Sequence, residues 1–578
     1  MTGESEGLRP SNREPSKHEP STRKPSRSQL WPALALGLLS LGYFAATLPY
    51  LGDYPLLDWP QMGIAAPAHK LAAEGVYGND LFAGYHRSEQ RNYEYMPAYP
   101  LLVALSYKLF GLGVWQARLV SVLCGWLALL LTFQLGRLLY GVRAGVLAAT
   151  LLATLRLGLI PGTTGVAVID FARVIRYDIL VPVFVLASCC CLVWAVQKST
   201  VQESAVQRSS ELGLTALTTP MLGYLASGLL AGLAALAHVY GAFVLVPLAG
   251  VLFWHHGLRM FRSLPVYLLA AGFVLALLPW IGYVLQDPEA YAGQMSRHQG
   301  RFDLLDPSFY WHNLQREVWR YAAWSGGSLE AAFLQPRVGI WLVLLLVPVS
   351  SFLLWRRTTV GEQQAARVFS DRFLLLALPS LALCLALLVA LKRYYYTILV
   401  WPFLALQLAF LADRMWRGGR AMRYLVGVVL VLLLAESGAG VLAMHQKARS
   451  VTRYEAISSA IAAELPAGGK GLISQPYWLG LTRHGYRDLR SVNLVFLQPP
   501  STPVAEIMRQ LAPDWVVIES YYFERDATDP RASPGNEPVR RRFLELGEYL
   551  ASQCRGRRVE PPSPDYGSVE VYDCRSAT

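Results

Sequence analysis

The chain has 578 residues, of which 53% are hydrophobic and 16% charged, and it carries a formal net charge of +12. Soluble domains carry about 25% charged residues, and runs near or above about 18 apolar residues recur here, which excludes one soluble core and predicts a polytopic membrane protein. The basic residues fall in short turns between apolar runs, where they set topology and argue against a nucleic-acid partner.

Residues 1–28 are polar, basic and rich in Pro and Ser, and read as a disordered cytoplasmic tail. A leader this long before the first apolar run predicts an uncleaved anchor, not a signal peptide. About eleven spans follow, at roughly 30–50, 113–137, 144–160, 179–197, 221–238, 240–256, 264–285, 337–355, 372–391, 396–412 and 424–443. Residues 97–111 are apolar but short, and are expected to lie in the outer interface. Arg137, Arg143, Arg259, Arg262, Arg356, Arg357, Arg414, Arg417, Arg420 and Arg423 all fall on one side of this threading. The positive-inside rule makes that side cytoplasmic, together with the polar segment 198–220. It puts the long loops 51–96 and 286–335, the loop 161–178 and the C-terminal region outside. The membrane domain thus spans 29–443.

Residues 444–578 are expected to form a small extracytoplasmic α/β domain. Helices are predicted over 453–464 and 503–512, and strands over 471–474, 492–497, 515–519 and 568–572. Gly468-Gly469-Lys470-Gly471 lacks the spacing of a phosphate-binding loop and reads as a turn. Cys554 and Cys574 are the only cysteines on the outer side, where disulfides form, and are predicted to pair. Cys189, Cys190 and Cys191 lie within a span and read as core thiols.

Candidate chemistry gathers at the outer ends of the spans. Asp58 follows the first span directly, and Glu94 precedes the interfacial segment. Arg173, Arg176 and Asp178 stand at the mouth of the fourth span, where charge is costly unless paired or functional. His238 lies at the corner between spans five and six, as a packed polar residue or a substrate contact. Lys392 and Arg393 are outside, against the charge trend. A phosphate ligand accounts for them, because a guanidinium presents a fork matched to phosphate oxygens; lipid headgroups are the plainer alternative.

The elements Asp58 with LAAEGVYGNDLF, then YEYMPAYPLLVALSYKLFG, ARL, RYD, GYLASGLLAGLAALAHVYG, LPW and KRYYYTILVWPFLAL run in that order over about residues 30–415. In that order they resemble GT-C membrane glycosyltransferases of the protein O-mannosyltransferase and aminoarabinose-transferase branch. The resemblance implies a GT-C-like helical domain that moves a sugar from a polyprenyl-phosphate donor to a glycolipid, polysaccharide or protein. It makes Asp58 the catalytic base or the residue that orients the acceptor, Arg393 a phosphate-binding position and Asp178 a second outer acid; Lys392 and Arg176 join Arg393 as candidate phosphate ligands by their charge. It matches Glu94 to an acid near a bound divalent metal, so a metal cofactor is carried with Glu94 and Asp178 as its candidates. Two departures stand out: Trp59 replaces the second acid common in the family, and Tyr95 and Met96 stand where a Lys is usual. The chemistry agrees independently. No nucleotide-binding fold is visible, so an outer active site needs a lipid-delivered donor in the cytoplasmic membrane. The alternatives are a lipid-linked saccharide flippase or a polysaccharide ligase; against the first, no internal repeat is evident and the candidate charges sit at one outer face.

Overall fold

The computed structural model describes residues 27–158, 162–206, 214–301, 303–322, 338–359, 365–499, 501–519, 537–560, 563 and 565–575. Most of the tail expected to be disordered lies outside the described residues. Among those described, eight helices are long and apolar enough to cross a membrane. They are built on α1 (Arg27–Thr47), α4 (Val114–Tyr140), α7 (Leu180–Val206), α8 (Leu214–Ala237), α10 (Leu264–Val284), α14 (Val338–Thr359), α15 (Ala365–Leu388) and α17 (Arg420–Ser450). Three shorter helices occupy the other expected positions: α5 (Val142–Thr154), α9 (Leu245–His256) and α16 (Trp401–Arg417). The helices α7 and α8 reach into the segment 198–220 that reads as polar, so less of it is free connector than expected.

The spans are not equivalent. In α7 the apolar window is 78% buried inside the protein, but in α10 it is 11% and in α14 17%. All three are apolar all round, as a span must be whether it faces protein or lipid. Close approach comes from small residues: a Cβ on Gly228 of α8 would collide with the Leu269 carbonyl of α10.

Outside the spans lie α2 (Trp59–Glu74), α3 (Ala98–Phe110) and α6 (Ala167–Ala172), followed by α11 (Pro288–Met295), α12 (Pro307–Gln315) and α13 (Val318–Ala322). The helix α3 buries Tyr99, Val103 and Tyr107 and exposes Leu101, Leu105 and Leu109. That two-faced pattern on thirteen residues suits an interfacial helix.

The C-terminal region is a five-stranded sheet in the order β2-β1-β3-β5-β4. Its strands are β1 (Gly471–Ile473), β2 (Leu489–Ser491), β3 (Trp515–Glu519), β4 (Arg555–Arg558) and β5 (Val569–Asp573). The strands β2, β1 and β3 are parallel, and β5 runs antiparallel to both β3 and β4. Helices α18 (Tyr454–Glu464), α19 (Trp478–Arg483), α20 (Asn493–Leu497), α21 (Val504–Leu511) and α22 (Glu537–Gln553) accompany it. Cys554 and Cys574 form a disulfide that joins the start of β4 to the end of β5.

One expected strand is a helix. The ladder ends at Ser491, Val492 caps the next helix, and Asn493–Leu497 folds into α20. Ser491 Oγ accepts from Asn493 N and so turns the chain out of the sheet. Leu494 and Val495 are buried under that turn. A short, mostly apolar run of this kind reads alike as strand or helix.

The sheet rests on the Asp58 end of the bundle. Tyr454 N donates to Asp53 at 3.1 Å, Lys447 pairs with Asp565 at 3.0 Å, and the His69 and Trp478 rings lie 5.7 Å apart. At the other end, the termini of α4, α14, α15 and α16 meet around one cavity through Tyr140, Arg357, Asp371 and Arg414.

Candidate active site

The site is built around a short extended segment between α1 and α2. Two buried arginines staple it. Arg118 of α4 donates to the carbonyls of Leu51, at 2.9 Å, and Pro55. Arg173, after α6, donates to the carbonyls of Thr47 at 2.6 Å and Tyr54 at 3.0 Å. Gln61, on the first turn of α2, completes the frame. Its Oε1 accepts from Arg118 and from Ile175 N, each at 3.1 Å. Carbonyls that a loop leaves bare near the membrane are thus satisfied by charged donors.

This frame sets Asp58. It caps α2, its Oδ1 accepting from Gln61 N at 3.1 Å. The residue is exposed, and its second oxygen has no bonded partner among the described residues. Because Ile175 hangs on Gln61, Arg176 is brought within electrostatic reach of Asp58. Arg176 Nε pairs with Asp178 at 2.9 Å, and both residues are buried. The Arg176 guanidinium lies 3.8 Å from the centre of the Tyr395 ring, a cation–π contact. Asp58, Arg176 and Asp178 therefore share one place with the tyrosines that follow Arg393.

His238 borders the same region. It stands at the corner between α8 and α9, its Nδ1 accepting from Tyr240 N at 3.2 Å. Its ring lies 4.3 Å from Tyr240, 4.9 Å from Tyr177 and 5.4 Å from Tyr396. Arg301 reaches both His238 and Tyr240 electrostatically. An aromatic wall with cations at its rim is the chemistry of a pocket for a sugar face and an anionic group.

Lys392 and Arg393, adjacent in sequence, part company in space. The Lys392 side chain is buried, pairs with Glu317 at 2.9 Å and donates to the Ala386 carbonyl at 2.8 Å. Glu317 is held further by Arg320 at 2.7 Å, and Arg320 donates to the carbonyls of Arg393 and Leu385. Lys392 is thus part of a structural cluster that ties the α13 end of the outer loop to the chain after α15. Arg393 is exposed, and among the described residues its side chain has no bonded partner. Glu94 sits half-buried in the coil before α3, next to Tyr95, whose ring is 6.0 Å from Tyr177.

The metal expected at Glu94 and Asp178 is not matched by the donor set. Among the described residues no group of three or more His, Cys, Asp or Glu side chains could hold an ion, and Asp178 is committed to Arg176.

Reading the sequence alone left Arg118, Gln61, Arg301, Glu317 and Arg320 without a role. Arg118 had a usable signal, as a lone cation inside an otherwise apolar span. Glu317 and Arg320 had none beyond their place in a long mixed-charge loop.

A family model for dolichyl-phosphate-mannose-protein mannosyltransferases matches residues 95–205, a stretch that includes Arg118, Arg173, Arg176 and Asp178. No curated protein matches the chain by sequence. Among solved structures, the chain resembles the archaeal oligosaccharyltransferase AglB from Archaeoglobus fulgidus, in complex with an inhibitory peptide and a dolichol-phosphate. The TM-score is 0.55 at 13% identity, over 86% of this chain and 71% of that one. The same protein in complex with zinc and sulfate gives 0.55 at 14%, over 85% and 68%. ArnT from Cupriavidus metallidurans, bound to undecaprenyl phosphate, gives 0.48 at 16%, over 95% and 99%. A mannosyltransferase model thus matches residues 95–205, and the fold of a membrane oligosaccharyltransferase extends over 86% of the chain.

Proposed function

We propose that this protein transfers a sugar from a polyprenyl-phosphate-linked donor to an acceptor hydroxyl at the extracytoplasmic face of the cytoplasmic membrane. The observation that carries the reading is the convergence of Asp58, with one free carboxylate oxygen, and Arg176 against the Tyr395 ring, at the end of the bundle opposite the arginine-rich turns. That convergence leaves the alternatives, flippase and ligase, without a specific observation in their favour.

In this reading Asp58 accepts the acceptor hydroxyl proton as its oxygen attacks the anomeric carbon. The bond from that carbon to the phosphate oxygen breaks, and the phosphate leaves with the bonding electrons on its lipid. Arg393 and Arg176 stabilise the charge that develops there, and Asp178 holds Arg176 in place. Lys392 acts one step removed, through Glu317 and Arg320, by fixing the chain that carries Arg393. His238, Tyr177, Tyr240 and Tyr396 form the wall for the sugar. The dolichol-phosphate in complex with the structurally similar archaeal oligosaccharyltransferase supports a donor of that lipid class.

The test is a membrane assay with a panel of polyprenyl-phosphate sugars, comparing wild type with Asp58→Asn. Transfer from at least one donor that is lost in the variant supports the reading; no transfer with any donor overturns the donor class. Reporter fusions after Met444 and within 198–220 test the sidedness, and must report opposite compartments.

A further inference from the structure

At the end of the bundle away from Asp58, a cavity of about 500 Å³ opens between the termini of α4, α14, α15 and α16. Its walls include the aromatic side chains of Tyr140 and Phe410. Four arginines line it against two aspartates. Asp371 is fully buried and pairs with Arg357 at 2.9 Å, and the Arg357 guanidinium lies 5.4 Å from the centre of the Phe410 ring. Asp413 pairs with Arg417 and takes Arg143 from outside the cavity at 3.6 Å. Arg367 and Arg414 are left over. Both are exposed and within electrostatic reach of Asp371, and neither has a bonded side-chain partner among the described residues.

A charge that only orients a span needs no such setting. Positive-inside topology requires basic residues in the turns. It does not require buried carboxylates, which are costly at membrane depth, to hold guanidiniums around a hollow. Here the two aspartates fix Arg357 and Arg417 as walls, and Arg367 and Arg414 supply uncompensated positive charge. Paired forks around a cavity match tetrahedral phosphate oxygens. The level is also that of a lipid headgroup. Beside it, Trp416 at the end of α16 and Arg420, Arg423 and Tyr424 on α17 rim a second groove that continues over Gly427, Val428 and Val431. A Cβ on Gly427 would meet nothing within 4 Å, so the groove floor is open. An aromatic–basic rim above an apolar trough suits a headgroup with its acyl chain below.

We propose that this arginine-lined cavity is a binding site for the phosphate headgroup of an anionic phospholipid in the inner leaflet. The site is separate from the transfer reaction, and its inner-leaflet assignment rests on the sidedness proposed above.

The experiment uses the full chain in detergent, stripped of lipid and then incubated with dioleoyl phosphatidylglycerol, dioleoyl phosphatidylcholine or inorganic phosphate. Retained ligand and the thermal midpoint are read together. Wild type should retain phosphatidylglycerol at least about tenfold better than phosphatidylcholine and gain thermal stability from it alone. Arg367→Gln/Arg414→Gln should lose that preference. Because loss of two charges could disturb insertion, Arg367→Lys/Arg414→Lys keeps the topology signal while removing the forks, and its retention should fall between the other two. Equal retention of both lipids overturns the site. Wild-type retention by the lysine pair reduces it to diffuse surface charge and also overturns it. Inorganic phosphate that binds and stabilises as well as the lipid makes it a soluble-anion site and overturns the lipid assignment.

Discussion

The two ends of the helical bundle use the same pair of residue types and put them to different use. At one end Arg176 and Asp178 lie two residues apart in the chain, both buried, with the guanidinium against Tyr395. At the other, Arg357 and Asp371 come from different helices, and Arg367 and Arg414 crowd the same carboxylate. The first end is roofed by α2, α3 and the C-terminal sheet, which exclude water around a few charges and leave Asp58 open. The second has no such roof among the described residues and carries a surplus of one sign. An ion pair is therefore not a function in itself. What surrounds it decides whether it positions a reacting group or builds an anion site.

The sharpest contrast between the ends is in stability. Arg176→Ala strands Asp178 as a buried charge and should cost about 3–5 kcal/mol. Arg357→Ala should cost clearly less, because Arg367 and Arg414 remain in range of Asp371. Thermal unfolding of both variants in one detergent makes the comparison, and equal losses would dissolve the distinction. In catalysis the contrast is as wide. Asp58→Asn should lower turnover by about 10²-fold or more at unchanged fold. Arg414→Gln, at the far end, should leave turnover within about twofold in a phosphatidylcholine background. Unchanged turnover in Asp58→Asn would shift the base to Glu94 or Asp178.

A smaller effect separates two neighbours within the reacting end. Arg393→Ala should raise the donor concentration needed for half-maximal rate by about tenfold, and Arg393→Lys should rescue only part of it. Lys392→Ala should instead lower the thermal midpoint, because it removes one of the two cations on Glu317. Identical donor dependence in wild type and both Arg393 variants would make Arg393 a headgroup anchor.

The smallest expected effect lies in the roof. Glu519, at the end of β3, is held up at about 7 by burial, with the Tyr477 hydroxyl partly offsetting it. A carboxyl that binds its proton more tightly when folded stabilises the protein fully below its unfolded value. That contribution is lost as pH rises through about 7. Wild type should therefore lose thermal stability between pH 5 and 8 relative to Glu519→Gln, and parallel profiles would count against a protonated Glu519.

What could be read from the chain alone follows from local physics. A span must be apolar along its whole length and charge must collect in its turns, so the polytopic fold is written residue by residue. The pairing of Cys554 with Cys574 needed only their isolation on one side. The placement of Asp58, Arg176 and His238 near membrane ends was legible for the same reason, since charge there is conspicuous.

Tertiary structure alone decided which of these groups meet. That Ile175 hangs on Gln61 and so carries Arg176 toward Asp58 is a contact 114 residues apart. Lys392 and Arg393 are indistinguishable by type and position, yet Glu317, 75 residues earlier in a loop of mixed charge, takes one and leaves the other exposed. The run at 492–497 became a helix because Ser491 turns the chain and the sheet's core receives Leu494 and Val495 from more than one side. Hydrophobicity and charge specify where a residue can reside. Which partner it meets there depends on how helices of similar composition pack, and that is set by shape across long sequence separations.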